Sequence, residues 1–133
     1  MNEIPSSHHD LLSTSTAVLA TVGSDGRPQL SAVWFLAEDG VLKVSLNTTR
    51  QKLKNLRSNP AVNLFILDQA NNQRYLEVRG DAELTDDSDY QFAAKIGAKY
   101  GGADLRQWDA PGSSRVVVTI RPVRVNAVDM SGG

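Results

Sequence analysis

The sequence predicts a small, mostly antiparallel β-barrel of six or seven strands with two or three short helices. Short apolar segments rich in β-branched residues recur along the chain, and most are separated by turns that contain glycine. Only two segments have the spacing of a substantial amphipathic helix. The 133 residues have the length of one domain, residues 1–133, in which residues 1–10 are expected to form a flexible leader.

The N-terminal part predicts hairpins that follow one helical turn over residues 7–12. Residues 17–22 are a short β-branched segment, and the turn at residues 23–28 contains two glycines that can adopt positive φ. The chain is expected to return as a strand over residues 29–36. Residues 41–46 alternate, so the leucine and valine side chains of that strand share one face.

The next segment predicts a short helix. Residues 50–58 place Leu53 and Leu56 three positions apart on one helical face. Thr48 or Thr49 is available as the N-cap. An Asn-Pro pair follows and ends the helix.

The C-terminal half predicts three strands and the longest helix. Residues 61–67 are almost continuously apolar, which is typical of a strand buried on both faces. Residues 75–84 alternate around Gly80, a predicted bulge. Residues 86–100 have an apolar helical stripe and are followed by two glycines. The last strand, residues 116–128, contains a proline that requires an edge position or a bulge.

Composition and charge exclude several functional classes. The 14 lysines and arginines nearly balance the 15 acidic residues, so the chain lacks the basic excess of a general nucleic-acid binder. The chain has no cysteine, which excludes disulfides, thiolate metal sites and a cysteine nucleophile. His8 and His9 are too few for a histidine zinc site, so no metal is expected. Without a long apolar segment, the protein is expected to be soluble and cytoplasmic, with no membrane insertion.

The densest cationic segment lies where a strand leads into the first substantial helix. Residues 47–57 contain Arg50 and Lys52 close to the expected helix start. A helix N-terminus presents unpaired N–H groups and the positive end of the helix dipole, so it stabilises a bound anion. Arg50 can bind a phosphate through two N–H groups, whereas Lys52 supplies a point charge. The segment is a candidate phosphate site, although a solvated basic helix face has the same pattern.

A second candidate is the strand that contains Gln29 and Ser31. Small polar residues alternate there with apolar ones, which leaves room for a flat ring against the backbone, although an ordinary half-buried strand has the same pattern. No histidine follows His9, and no serine lies in a Gly-x-Ser-x-Gly motif. An anion site and a flat platform without a protein acid or nucleophile indicate that a bound cofactor supplies the chemistry. We therefore expect no catalytic side chain.

Five segments of the sequence resemble the pyridoxamine 5'-phosphate oxidase-like split β-barrel superfamily. They are residues 17–22, the Asp-Gly-Arg-Pro-Gln-Leu-Ser motif at 25–31, residues 45–56, the Asn-Pro pair at 59–60, and residues 79–84. The resemblance spans roughly residues 17–128 and is strongest to the small actinobacterial F420-dependent reductases, the flavin/deazaflavin oxidoreductase B group. It implies a split barrel of the FMN-binding type and a homodimer with cofactor sites at the subunit interface.

The same resemblance implies an F420-dependent reductase. Hydride would pass from C5 of reduced F420 to an electrophilic acceptor of the enone, quinone or tetrapyrrole type, and the proton would come from water or a nearby tyrosine. The implied ligands of the phosphate or phospholactyl group are Arg50 and Lys52, helped by Ser45, Asn47 and Thr48. The implied ring-lining residues are Gln29, Ser31, Ala32 and Val33, with Tyr75, Trp108 and Arg115 as further cofactor-binding candidates where the partner subunit closes the site.

Two other functions fit the same sequence. The fold could bind FMN and act as a flavin oxidase or reductase. It could also sequester or carry F420, FMN or haem without turnover, since acid–base residues are scarce. The chain shows no clear counterpart of the C-terminal Arg-x-His segment of true pyridoxamine phosphate oxidases, which argues against pyridoxal phosphate synthesis.

Overall fold

Seven antiparallel strands form one sheet that curls into a half-barrel, which confirms the predicted split-barrel class. The computed structural model describes residues 3–131. The strands are β1 (Ala17–Val22), β2 (Pro28–Val33), β3 (Leu36–Glu38), β4 (Val41–Asn47), β5 (Ala61–Leu67), β6 (Arg74–Asp86) and β7 (Arg115–Asp129), in the spatial order β2-β1-β5-β6-β7-β4-β3. The helices are α1 (Gln51–Ser58), α2 (Gln91–Lys99) and two 3-10 helices, Ser6–Ser13 and Leu105–Gln107.

The core lies on one side of the sheet and is built from alternate strand residues. In β4, Leu42, Val44 and Leu46 are buried, as the alternation predicts. Leu53 and Leu56 of α1 are buried in the same core, which confirms the apolar face predicted for that helix. No helix among residues 3–131 is long and apolar enough to cross a membrane.

Strand β5 is buried on one face, so the prediction of burial on both faces is wrong. Val62, Leu64 and Ile66 lie in the core, while Phe65 is half-buried and Leu67 is 39% exposed. The sheet is a single curled layer, and within residues 3–131 no second layer packs on the outer face of β5. Its outer apolar residues are therefore left partly in contact with solvent.

The strand predicted over residues 29–36 breaks at Trp34 and Phe35. Before the break, β2 pairs with β1, and after it β3 pairs with β4. These pairs lie at opposite ends of the strand order, so the two residues carry the chain from one edge of the sheet to the other. Phe35 is fully buried, and its backbone N–H donates to the hydroxyl of Tyr100 (3.1 Å) instead of to a strand.

A bulge bends the two longest strands at the predicted position. The β6–β7 register shifts between Arg79 and Gly80, and Gly80 lies opposite Pro122. A Cβ at Gly80 would overlap the backbone carbonyl of Arg121. Because β7 lies between β6 and β4, its proline is accommodated by the bulge and not by an edge position.

Helix α2 begins at Gln91, five residues later than predicted. Asp87 is buried, and its carboxylate accepts hydrogen bonds from the backbone N–H groups of Phe92 (3.0 Å) and Ala93 (2.9 Å). Tyr90, in the left-handed region with φ 61°, turns the chain before the helix. The acidic residues that were expected in the first turn therefore precede the helix, and Asp87 caps it from outside.

The first 3-10 helix packs against the barrel where a flexible leader was expected. Leu11 and His8 are buried, and His8 Nε2 lies 3.1 Å from the carbonyl oxygen of Val128. Arg74 of β6 forms an ion pair with Asp10 (2.6 Å). These contacts hold residues 6–13 against the barrel, and residues 1 and 2 lie outside the described part of the chain.

The bulge predicts that Gly80→Ala destabilises the protein. We expect a loss of about 1–3 kcal/mol in the free energy of unfolding, since the new methyl group overlaps a backbone carbonyl that cannot rotate away. Urea denaturation measures the change. Gly23→Ala is the control, because its Cβ would approach the flexible carboxylate of Asp25 at 3.1 Å and the backbone carbonyl of Arg27 only at 3.4 Å, an ordinary contact distance. Equal unfolding free energies for the Gly80→Ala variant and the unmodified protein would contradict the steric account.

Candidate functional site

A cleft of about 630 Å³ lies beside the break between β2 and β3. Residues of β2, β4, both α-helices and the segment before β7 line it. Eight of the residues predicted for cofactor binding come together there: Ala32, Val33, Ser45, Asn47, Arg50, Lys52, Trp108 and Arg115.

Four predicted site residues do not line this cleft. Ser31 accepts a hydrogen bond from Lys52 Nζ (3.1 Å), and Gln29 accepts one from Asn55 Nδ2 (2.7 Å). Both residues of β2 therefore hold side chains of α1 in place. The Thr48 hydroxyl accepts a hydrogen bond from the backbone of Ser114. Tyr75 lies on the outer face of the sheet, where its ring packs against Phe65 at 5.1 Å between centroids.

The start of α1 differs from the predicted threonine cap. The N-cap is Arg50, and no side chain of the described residues caps it. The hydroxyl and the backbone N–H of Thr49 both donate to Asn47 Oδ1, at 2.8 and 2.9 Å. Because the threonines are used by the preceding turn, the first N–H groups of α1 have no side-chain acceptor, and the helix start is available to a bound anion.

Lys52 is a buried cation without a protein counter-ion among residues 3–131. Its residue is 6% exposed, its Nζ donates to Ser31 Oγ, and no carboxylate of those residues lies within 4.0 Å of it. Burial, followed by the neighbouring charge of Arg50, lowers the pKa of Lys52. A buried unpaired charge is costly, so this position favours a bound anion that would offset the desolvation.

Arg115, by contrast, is neutralised within the chain. Its Nε and Nη2 donate to the two carboxylate oxygens of Asp109, at 2.8 and 2.7 Å, and Tyr90 donates to the same carboxylate at 2.6 Å. The Arg115 guanidinium holds the pKa of Asp109 well below its usual range. Sequence reasoning missed Asp109, because an isolated acid in a loop carries no signal that it faces a cleft.

Aromatic rings form another part of the cleft wall. Trp34 stacks on Tyr100 with centroids 4.3 Å apart, and Trp34 and Trp108 form an edge-type pair with centroids 5.6 Å apart. Ile96 and Leu105 extend this apolar part of the lining. Arg50 and Lys52 come from the start of α1, so one cleft combines cations with a flat apolar surface.

A buried amide network holds α1 against the barrel. Asn55 is buried, and its amide nitrogen donates to the Thr21 hydroxyl (3.0 Å) and to Gln29. Its carbonyl oxygen accepts from Gln51 (3.0 Å). Every polar group of Asn55 is thereby satisfied, which fixes the helix that carries Arg50 and Lys52.

The cleft offers binding groups but few acid–base groups. His8 and His9 lie in the first 3-10 helix and do not line it. The hydroxyls of Tyr90 and Tyr100 are engaged by Asp109 and by the backbone of Phe35. Within residues 3–131, no group of three or more histidine, cysteine or acidic residues is arranged to hold a metal ion.

Comparison with known proteins finds the same fold and family. The family model described as pyridoxamine 5'-phosphate oxidase matches residues 5–129. A solved structure named F420 reductase is 35% identical, with a TM-score of 0.81 over 92% of this chain and 98% of that one. A conserved hypothetical protein from Mycobacterium tuberculosis is 25% identical, with a TM-score of 0.77 over 96% of this chain and 87% of that one.

A more distant match shows the fold alone. The HupZ protein of Group A Streptococcus is 20% identical, with a TM-score of 0.74 over 96% of this chain and 95% of that one. The family match, by contrast, runs through every strand of the barrel. On that match and the 35% identity to an F420 reductase, this chain belongs to the pyridoxamine 5'-phosphate oxidase family.

Proposed function

We propose that this protein is an F420H2-dependent reductase that passes a hydride to an electrophilic enone, quinone or tetrapyrrole. Its family and its likeness to an F420 reductase support a flavin or deazaflavin oxidoreductase. The observation that carries the proposal is the buried ammonium of Lys52, which has no counter-ion among residues 3–131 and lines the cleft beside Arg50. A phosphate-bearing cofactor supplies the anion that this position favours.

The cleft residues fit such a cofactor. Lys52, Arg50 and the first turn of α1 would hold its phosphate, with Ser45 and Asn47 beside them. The backbone of Ala32 and Val33 would lie against the ring. When bound, reduced F420 supplies a hydride from C5, and this chain supplies orientation and shelter from water.

The proton for the reduced acceptor would come from water. Both tyrosines closest to the cleft use their hydroxyls in the hydrogen bonds described above, with Asp109 and with Phe35. In this proposal the side chains of the cleft bind and orient the reactants, and none of them is catalytic.

We further propose a homodimer, in the cytoplasm, with cofactor sites at the subunit interface. The outer face of the sheet supports an interface: Phe65 and Tyr75 pack there half-buried, and Leu67 is 39% exposed. Apolar side chains on the outer face of a single-layer sheet are suited to contact with a second subunit.

FMN is the second candidate cofactor. Its phosphate would satisfy Lys52 and Arg50 equally well, and the family model is named for an oxidase of a phosphorylated substrate. A carrier without turnover is a third candidate, favoured by the shortage of acid–base groups in the cleft. Cofactor titration and a turnover assay distinguish these three candidates.

Parallel titrations of F420 and FMN test the cofactor. Trp34 and Trp108 both line the cleft, so tryptophan fluorescence of the cofactor-free protein should change when either ligand binds. We expect tight binding of F420 and weaker binding of FMN. The reverse order moves the protein to the flavin branch. Tight F420 binding without acceptor-dependent oxidation of F420H2 would favour the carrier.

Lys52→Ala tests the anion site. We expect cofactor binding to weaken by about 1.5–3 kcal/mol, because a charged hydrogen bond is lost. Fluorescence titration gives the dissociation constant. Lys54→Ala is the matched control, since Lys54 is exposed on the same helix and does not line the cleft. An unchanged dissociation constant in Lys52→Ala would remove Lys52 from the site.

The lowered pKa of Lys52 predicts pH-dependent binding. The anion binds the charged ammonium, so affinity should fall as pH rises through the pKa of Lys52, which lies below the ordinary value for lysine. In Lys52→Arg the charge persists to higher pH, and the decline should disappear. Titrations across a pH series compare the two proteins. Parallel pH profiles would show that another group controls the affinity.

A further inference from the structure

The segment between α2 and β7 contains only one short 3-10 helix among the described residues, yet it makes contacts with the barrel at both ends. Leu105 is buried in a small apolar cluster with Phe92 and Ile96. Near the other end, Ser114 exchanges two hydrogen bonds with Thr48, at 2.9 and 3.1 Å. The segment that borders the cleft is therefore fixed at both ends.

Asp109 anchors the middle of this segment to two other elements. Its side chain is 7% exposed and accepts three hydrogen bonds: two from Arg115 at the start of β7 and one from Tyr90 just before α2. A bidentate arginine pair restrains both distance and angle. These hydrogen bonds restrain the backbone on either side of Asp109, including that of Trp108.

Trp108 precedes Asp109 directly in the chain, and its side chain is exposed. It is 61% exposed, yet it lines the cleft and packs against Trp34 in an edge-type geometry. Such exposure means that the indole contributes little to the core. A large aromatic held open at the wall of a cleft is suited to bind a flat ligand, and its fixed position lowers the entropy lost on binding.

We propose that Trp108 determines acceptor specificity by packing against a planar, conjugated ring system, and that Asp109 is the positioning residue that holds it there. This inference rests on the proposed function, because it concerns the molecule that receives the hydride. The apolar part of the cleft comes from Trp34, Ile96 and Leu105, whereas the cations that would hold the cofactor phosphate come from the start of α1. That division assigns the indole to the acceptor and not to the phosphate end of the cofactor.

Calorimetric titration with two inert bicyclic alcohols tests the role of Trp108. 2-Naphthol is flat, and decahydro-2-naphthol has the same carbon skeleton without planarity. In F420-loaded protein, Trp108→Ala should weaken 2-naphthol binding by about three- to tenfold and change decahydro-2-naphthol binding by less than about twofold. The proposal is overturned if Trp108→Ala weakens the binding of both ligands equally, or if it leaves the binding of both unchanged.

Two further measurements distinguish the other groups that the indole could contact, the cofactor and a second subunit. Weaker F420 binding in Trp108→Ala, with unchanged 2-naphthol binding, would assign the indole to the cofactor. A loss of dimer on sedimentation, with unchanged 2-naphthol binding, would assign it to a second subunit. Either result overturns the proposal. The titration is repeated without F420, so a protein that fails to bind F420 still reports whether Trp108 selects flat ligands.

Asp109→Asn tests the positioning role. The ratio of the 2-naphthol and decahydro-2-naphthol dissociation constants should move toward that of Trp108→Ala, while Asp81→Asn, an exposed acid on β6 outside the cleft, should leave it unchanged. Tyr90→Phe removes only one hydrogen bond and provides a second variant if Asp109→Asn does not fold. In a Trp34→Phe background, Trp108 is the sole tryptophan, and its quenching by acrylamide should increase in Tyr90→Phe. Unchanged selectivity in a folded Asp109→Asn protein, or unchanged quenching in Tyr90→Phe, contradicts the positioning role.

Discussion

The crossing of the chain between the two edges of the sheet is the constraint on which the rest of the structure depends. Two residues, Trp34 and Phe35, take the chain from β2 to β3. The buried Phe35 leaves the strand ladders, so its backbone groups need other partners. Tyr100 supplies one through its hydroxyl, and Lys99 donates to the Phe35 carbonyl at 2.9 Å. The end of α2 is thereby fixed against the crossing, and the cleft forms beside it.

The two buried or half-buried cations beside that cleft, Arg115 and Lys52, differ in whether they have a carboxylate partner. Arg115 has a bidentate partner in Asp109, so its charge serves the architecture. Lys52 is buried but has only a serine hydroxyl as its partner. A folded protein tolerates the second arrangement where a ligand completes it, since desolvation of a lone ammonium is otherwise costly. The same cleft thus contains one cation without a carboxylate partner among residues 3–131 and one that is paired.

Local pattern was sufficient wherever neighbouring residues decide the outcome. The alternation of β4 placed its leucines and valine inside, and the glycine in β6 marked the bulge correctly. Local pattern gave a wrong prediction where a group outside the predicted element binds the same side-chain atoms. The hydroxyls of Thr48 and Thr49 were expected to cap α1, but Ser114 and Asn47 use them instead. Asp87 was expected inside the second helix, but it caps that helix from outside.

The sequence by itself determined the class of fold, the core faces of β4 and α1, and the cationic helix start, because these follow from side-chain periodicity and from the order of residues along the chain. Only the tertiary structure decided that Gln29 and Ser31 lie beneath the site, that Tyr75 lies on the outer face, and that Asp109 occupies the cleft wall. Such placements depend on which distant strands pair and on which buried charges find partners. Local composition does not encode them, since the free energy of burying a group depends on every element that packs around it.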